Sequence, residues 1–184
     1  MKTIYYGASS LNGFISDSNN SLDWLFQFQG EGGHDFDSFI NGVGAIAMGS
    51  TTYQWIYDHQ IANEPGKLQP WPYKVPTWVF TTRQLPIIPN VDIRFVSGDV
   101  RPVHQAMSVV VEDKNIWIMG GGELAGKFYD AKLLNELIIQ IAPVTLNGGA
   151  PLFPRTTHPP MRLISAKPIG GLFVELHYEI PSCV

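Results

Sequence analysis

Apolar positions in this chain fall in short runs, and the spacing between them changes from element to element. Residues 2–9 (KTIYYGAS) predict a first strand, followed by a loop around Asn12 and Gly13 and a turn cluster at 18–21. Phe36, Phe39, Ile40 and Val43 recur at helical spacing, which predicts a short amphipathic helix over 34–41. Residues 44–48 are small and apolar, as a buried strand is. A helix capped by the hydroxyl of Ser50 or Thr51 is expected to follow, running to about Tyr57. The stretch 63–76 carries Pro65, Gly66, Pro70, Pro72 and Pro76 and reads as a surface loop. Residues 77–81, rich in β-branched and aromatic side chains, predict a strand, and 93–96 predict another. Residues 102–112 read as a helix despite Val109, Val110 and Val111. A buried strand is expected at 116–119, a helix at 123–129, and a further buried strand at 136–142 (ELIIQIA). Residues 161–167 and 172–180 pair as a hairpin about a turn at 168–171. Strand–helix alternation early and paired strands late predict an α/β sandwich with an antiparallel C-terminal edge.

Composition narrows the class. The 184 residues suit one domain, 1–184, large enough to bury a core without staples. Apolar residues make up 45% and charged residues 15%, a globular balance. With net charge −4 and scattered Lys and Arg, nucleic acid is not expected as the main partner. The single cysteine, Cys183, excludes an internal disulfide framework, and no apolar h-region or bilayer-length run is present, so a soluble cytoplasmic protein is expected. The five histidines have no partner at i,i+3 or i,i+4, which argues against a metal site, and no G-x-S-x-G context supports a serine hydrolase.

The chemistry concentrates at IWIMGGGEL, residues 116–124. Strand, glycines and helix in that order can cradle a phosphate: glycine lets backbone approach an anion, and free N–H groups at the helix start face it. Gly120, Gly122 and Ala125 fit the relaxed fingerprint G-x-G-x-x-G/A. The same residues also suit a tight strand-to-helix turn with no ligand.

Five segments in order carry a resemblance. They are SLNGFISD at 10–17, AMGSTTY at 47–53, the strand of Trp78, Val79 and Phe80 followed by Thr81, Thr82 and Arg83, the glycines 120–122, and LNELI…IAPVTLNGGAPLF over 134–153. Together they resemble the dihydrofolate reductase-like family, closest to its branch containing the C-terminal reductase domain of bacterial riboflavin biosynthesis. The resemblance implies a three-layer α/β/α fold with a mostly parallel central sheet and an antiparallel C-terminal hairpin. It implies an NADPH-dependent oxidoreductase acting on a small pterin-like or pyrimidinone ring, similar to 5-amino-6-(5-phosphoribosylamino)uracil reductase, and a homodimer. No H-x-E…P-C-x-x-C deaminase pattern occurs in the chain.

By the same resemblance, Gly121 and Gly122 with the N–H groups of Glu123 and Leu124 hold the pyrophosphate, and Gly49, Ser50, Thr51 and Thr52 hold its other side. Thr81, Thr82 and Arg83 meet the 2′-phosphate, while Ala8, Gly13, Ile15, Met119 and Gly120 complete the cofactor set. Ser50 stands where the family usually has arginine, which removes one cation. Asp35, four residues before Phe39, matches a family spacing for the carboxylate that orients the ring and supports protonation, and the simpler reading of it is a helix-start carboxylate favoured by the dipole. Trp24, Phe28, Trp55 and Ile56, with Tyr57 beside them, are candidates to wall the ring, or plain core. Two alternatives stay open: a nucleotide- or pterin-binding protein without catalysis, and a structural dimer.

Overall fold

The computed structural model describes residues 1–28 and 36–181, so the expectations placed on Asp35, His34 and Cys183 lie outside the described residues. The strands are β1 (Thr3–Ser10), β2 (Phe14–Ser16), β3 (Val43–Gly49), β4 (Thr77–Phe80), β5 (Ile93–Val96), β6 (Asn115–Met119), β7 (Glu136–Ala142), β8 (Ala150–Pro151), β9 (Arg162–Ile169) and β10 (Phe173–Glu179). The helices are α1 (Asp23–Phe26), α2 (Phe36–Asn41), α3 (Ser50–Ile56), α4 (Val100–Val110) and α5 (Gly122–Asp130), and a π-helical turn, Tyr57–Ile61, extends α3.

Eight strands form one sheet in the order β5-β4-β3-β6-β1-β7-β10-β9. Every neighbouring pair from β5 through β7 is parallel, and β10 and β9 close the sheet as an antiparallel hairpin. The central strands β3 (VGAIAMG) and β6 (NIWIM) are apolar on both faces because helices cover both. On one face, Val100, Val103 and Met107 of α4 and Leu124, Ala125 and Phe128 of α5 pack on Tyr5, Ala45, Ala47, Ile116, Ile118 and Ile139. On the other, Tyr53 and Ile56 of α3 and the half-buried Phe36 and Phe39 of α2 pack on Ile4, Tyr6, Ile46, Met48 and Trp117. The expected three-layer architecture with its C-terminal hairpin is therefore present.

Local departures have physical reasons. The N-cap of α3 is Gly49, extended at φ −84° and ψ 164°, and no side chain caps the helix. The expected Ser50 or Thr51 cap fails because β3 runs straight into the helix. Helix α4 begins two residues before the expected 102, since Asp99 caps it by accepting from the Arg101 N–H at 2.9 Å. Pro102 is tolerated there because a first-turn N–H has no helical partner to lose. The loop 63–76 is not wholly superficial, because Trp71 is buried against Tyr53 and Tyr73. Strand β9 continues past Lys167 through Pro168, as an edge strand allows.

Candidate active site

Strands β3 and β6 are neighbours, with Met48 opposite Met119, yet their connections leave in opposite directions. From β3 the chain passes through α3 to β4 on one side, and from β6 through α5 to β7 on the other. The two helices lie on opposite faces of the sheet. Their start points therefore flank a topological switch point at the carboxyl ends of the strands, where open α/β sheets place ligands.

Both helix starts are capped by glycine, Gly49 for α3 and Gly121 for α5, and neither receives a side-chain hydrogen bond. Helix α4, by contrast, has its Asp99 cap. At α5 the N–H groups of Leu124 and Ala125 both donate to the Gly121 carbonyl, at 2.9 and 3.1 Å. The Leu124 N–H expected to meet an anion is thus already engaged. Among the described residues, the N–H groups of Gly122 and Glu123 have no hydrogen-bond partner.

The three glycines do different work. Gly120 has φ +70°, and a Cβ on it would overlap the Thr52 hydroxyl, so this glycine lets α3 approach the turn after β6. A Cβ on Gly122 would lie 2.6 Å from the Pro151 carbonyl oxygen and 2.7 Å from the Leu152 carbonyl carbon. On Gly121 a Cβ would meet nothing nearer than Leu124 Cβ at 3.7 Å, and on Gly49 nothing within 4 Å. Gly120 and Gly122 therefore serve close packing, whereas Gly121 and Gly49 face open space.

The close approach at Gly122 seats a small ribbon over this edge of the sheet. Strand β2 pairs with β8, Phe14 opposite Pro151 and Ser16 opposite Ala150, which brings in Ile15 between them. Leu152 donates to the Gly13 carbonyl at 2.8 Å, and the buried Tyr5 hydroxyl donates to the Leu152 carbonyl at 2.9 Å. Burial pushes the Tyr5 phenol pKa up, so it remains a donor. Asn12 holds the preceding loop: its carboxamide accepts from Leu146 N–H at 3.0 Å and donates to the Leu146 carbonyl at 2.7 Å.

Other expected cofactor residues lie along the same carboxyl edge. Gly49 stands opposite Phe80 at the end of β4, and Thr81, Thr82 and Arg83 follow immediately. The Thr81 hydroxyl accepts from the Arg83 N–H at 2.9 Å and fixes this turn, leaving Thr82 and Arg83 exposed. Among the described residues the Arg83 guanidinium has no ion pair. Ala8 is half-buried in an otherwise mostly buried β1. Arg155 lies across Gly126 and bonds Glu123 at 3.1 Å and Asp130 at 2.8 Å. Its hydrogen bond holds the Glu123 carboxyl below the usual range, and it balances a negative charge that would otherwise face an anion at α5.

The four ring-wall candidates divide. Trp24 and Phe28 pack with Ala8, Ala142 and Phe173 at the ends of β1, β7 and β10. Trp55 stacks on Phe26 of α1 at 5.5 Å and on His59 at 4.5 Å. Ile56 is buried in the core behind them. Sequence reasoning missed a buried polar network on the same face. Gln140 Nε2 donates to the Tyr6 hydroxyl at 2.9 Å and to Glu175 Oε2 at 3.1 Å. The signal available was Gln140 inside the apolar run ELIIQIA.

Comparison with known proteins agrees with this geometry. The family profile of the RibD C-terminal domain matches residues 2–173. An uncharacterized protein of Bacillus subtilis, YwjB, is 32% identical over 179 residues, covering 96% of this chain and 97% of its own. A protein of Shewanella sp. PV-4 provisionally named for riboflavin biosynthesis superposes with a TM-score of 0.81 at 22% identity, covering 99% of this chain and all of the other. The dihydrofolate reductase of Enterococcus faecalis, solved with NADP(H) and RAB-propyl, superposes with a TM-score of 0.62 at 13% identity, covering 98% of this chain and 97% of the other.

Proposed function

The chain belongs to the RibD C-terminal domain family, and from that premise we propose that it is an NADPH-dependent reductase of a small, flat heterocycle, pterin-like or a pyrimidinone. The observation that carries this reading is the pair of glycine-capped helix starts left open on opposite faces of the switch point. NADPH, when bound, supplies the hydride.

The residues present fit that cofactor. The N–H groups of Gly122 and Glu123, with the positive end of α5, receive pyrophosphate oxygens over the open Gly121. Gly49, Ser50, Thr51 and Thr52 receive them from α3. Arg83 and Thr82, exposed beyond β4, suit the 2′-phosphate dianion. Ser50 in place of the family's arginine weakens that charge complement, since a charge-assisted hydrogen bond contributes about 1.5–3 kcal/mol. Ala8 and Met119 border the reacting ring, and Trp24, Phe28 and Trp55 exclude water from it. Asp35 is assigned the support of ring protonation. We further propose a cytoplasmic homodimer.

The test is a turnover screen. The loss of NADPH absorbance is followed with dihydrofolate, other pterins and pyrimidinones, and one of these is expected to be reduced. The Ser50 substitution favours a second reading, a binding protein without catalysis, for which NADPH would bind and no ring in the screen would be reduced.

A further inference from the structure

The segment that leaves β8 runs along α5 from its first turn to its last. Pro151 and Leu152 press on Gly122, the Arg155 guanidinium lies on Gly126, and the His158 N–H donates to the Tyr129 hydroxyl at 3.1 Å. Gly122 and Gly126 are i and i+4, so they open a shallow groove on one side of the helix, and 151–155 lie in it. Glycine inside a helix is destabilising. At Gly126 the reason for it is Arg155, because a Cβ there would stand 2.6 Å from Cζ and 2.9 Å from both Nε and Nη2.

The guanidinium laid in this groove joins two acids of the helix. Glu123 and Asp130 are i and i+7, about 10 Å apart along the axis, with Gly126 between them. Arg155 Nη2 reaches Glu123 at 3.1 Å, Nε donates to Asp130 at 2.8 Å, and Nη1 donates to the Pro154 carbonyl at 2.7 Å. The Arg155 side chain is 21% exposed against 67% for Glu123, so the cation is fixed and the acid is the free end of the pair. Lys127 has the i,i+4 spacing that usually serves such a carboxylate, yet among the described residues it makes no ion pair with Glu123. Glu123 is the acid of the first turn, beside the N–H groups of Gly122 and its own that have no partner among the described residues. An unpaired carboxylate at that place is drawn to the same N–H groups and the same positive helix end that an anionic ligand needs.

We propose that Arg155 is a positioning residue for the cofactor's pyrophosphate, acting through Glu123: it neutralises that carboxylate and holds it off the start of α5, so that the free N–H groups there stay open to phosphate oxygens. This rests on the reductase reading for the presence of pyrophosphate at α5. Arg155 touches neither the reacting ring nor the hydride, and its effect on the ligand is electrostatic, carried by one solvent-facing acid. Its size is therefore modest and falls as salt rises.

The experiment titrates wild type, Arg155→Met, Glu123→Gln and the double variant with NADPH, by tryptophan quenching, and with inorganic pyrophosphate, by calorimetry, at about 10 mM and about 0.5 M salt. Arg155→Met keeps an unbranched stem over Gly126 and removes the charge. It is expected to weaken both ligands about threefold to tenfold at low salt and less than about twofold at high salt. Glu123→Gln, which leaves the cation on Asp130, is expected to tighten both about twofold at low salt. The double variant is expected within about twofold of wild type, because the carboxylate that Arg155 answers is gone. An arginine that merely braces the helix predicts a double variant as weak as Arg155→Met. If Arg155→Met does not fold, Glu123→Gln decides: tighter binding at low salt supports the inference, and equal or weaker binding overturns it. NADPH binding indifferent to Arg155, or lost with Arg155 and not restored by Glu123→Gln, overturns this inference and spares the reductase reading. Pyrophosphate binding that is weakened by Arg155→Met and restored in the double variant, without NADPH binding, supports this inference and removes the reductase reading. Wild type that binds neither ligand overturns both.

Discussion

Gly122→Ala tests how the glycine turn is built. The new Cβ would lie 2.6 Å from the Pro151 carbonyl oxygen and 2.7 Å from the Leu152 carbonyl carbon, both of them backbone. No flexible side chain can give way, so β8 must retreat by close to 1 Å to restore ordinary contact, and such overpacking costs about 1–3 kcal/mol. The retreat also strains the bonds from Tyr5 to the Leu152 carbonyl and from Leu152 to Gly13, each contributing about 1 kcal/mol. The expected loss is roughly 2–5 kcal/mol, which lowers Tm by about 5–15 °C in a domain of this size. Gly121→Ala is the matched control. Its Cβ meets only Leu124 Cβ at 3.7 Å, so no overlap arises, and the remaining effect is that φ 17° and ψ 91° suit glycine better than alanine, a loss of about 1 kcal/mol that lowers Tm by a few degrees. Thermal unfolding followed by circular dichroism, at one protein concentration, reads both. A wild-type Tm for Gly122→Ala, or equal losses for the two variants, would refute the division of labour among the glycines.

Three further outcomes are expected. Gly121→Val, with a Cβ 4.0 Å from Leu124 N where pyrophosphate must approach, should abolish NADPH quenching of tryptophan fluorescence while the far-ultraviolet spectrum stays native. Arg83→Ala should weaken NADPH roughly tenfold to a hundredfold and leave NADH nearly unchanged, and equal effects on both cofactors would detach Arg83 from the 2′-phosphate. The last concerns pH. Burial alone would raise the Glu136 carboxyl, but hydrogen bonds from Lys2 and His177 hold it below its ordinary 4.5. Folding therefore gains stability above that pH and gives it up as pH falls through the depressed value. Denaturation curves at pH 7 and below 4.5 should show Glu136→Gln losing part of the pH dependence of this limb, and an unchanged slope would exclude the cluster as a source of it.

What the sequence made legible follows from locality. The run from Ile116 through the glycines announces strand, turn and helix because neighbouring residues decide all three. Residues 136–142 read as a buried strand for the same reason. Long-range facts stayed hidden. Nothing near Gly122 in sequence signals that Pro151 and Leu152 press on it, and nothing near Asn12 signals its grip on Leu146. Glu175 in FVELHYE sits at a position that alternation assigns to an exposed face. Its burial against Gln140, on the face that α1 helps cover, comes from packing across three strands. The cap of α3 lies one residue earlier than its hydroxyls suggest, because Ser50 and Thr51 carry the right side chains whereas the extended backbone that a cap needs belongs to Gly49.

The most direct test of the central claim is titration of the purified chain with NADPH and, separately, NADH, following tryptophan fluorescence. Saturable quenching by NADPH, with NADH clearly weaker, is the expected result. Absence of binding by either cofactor would contradict it.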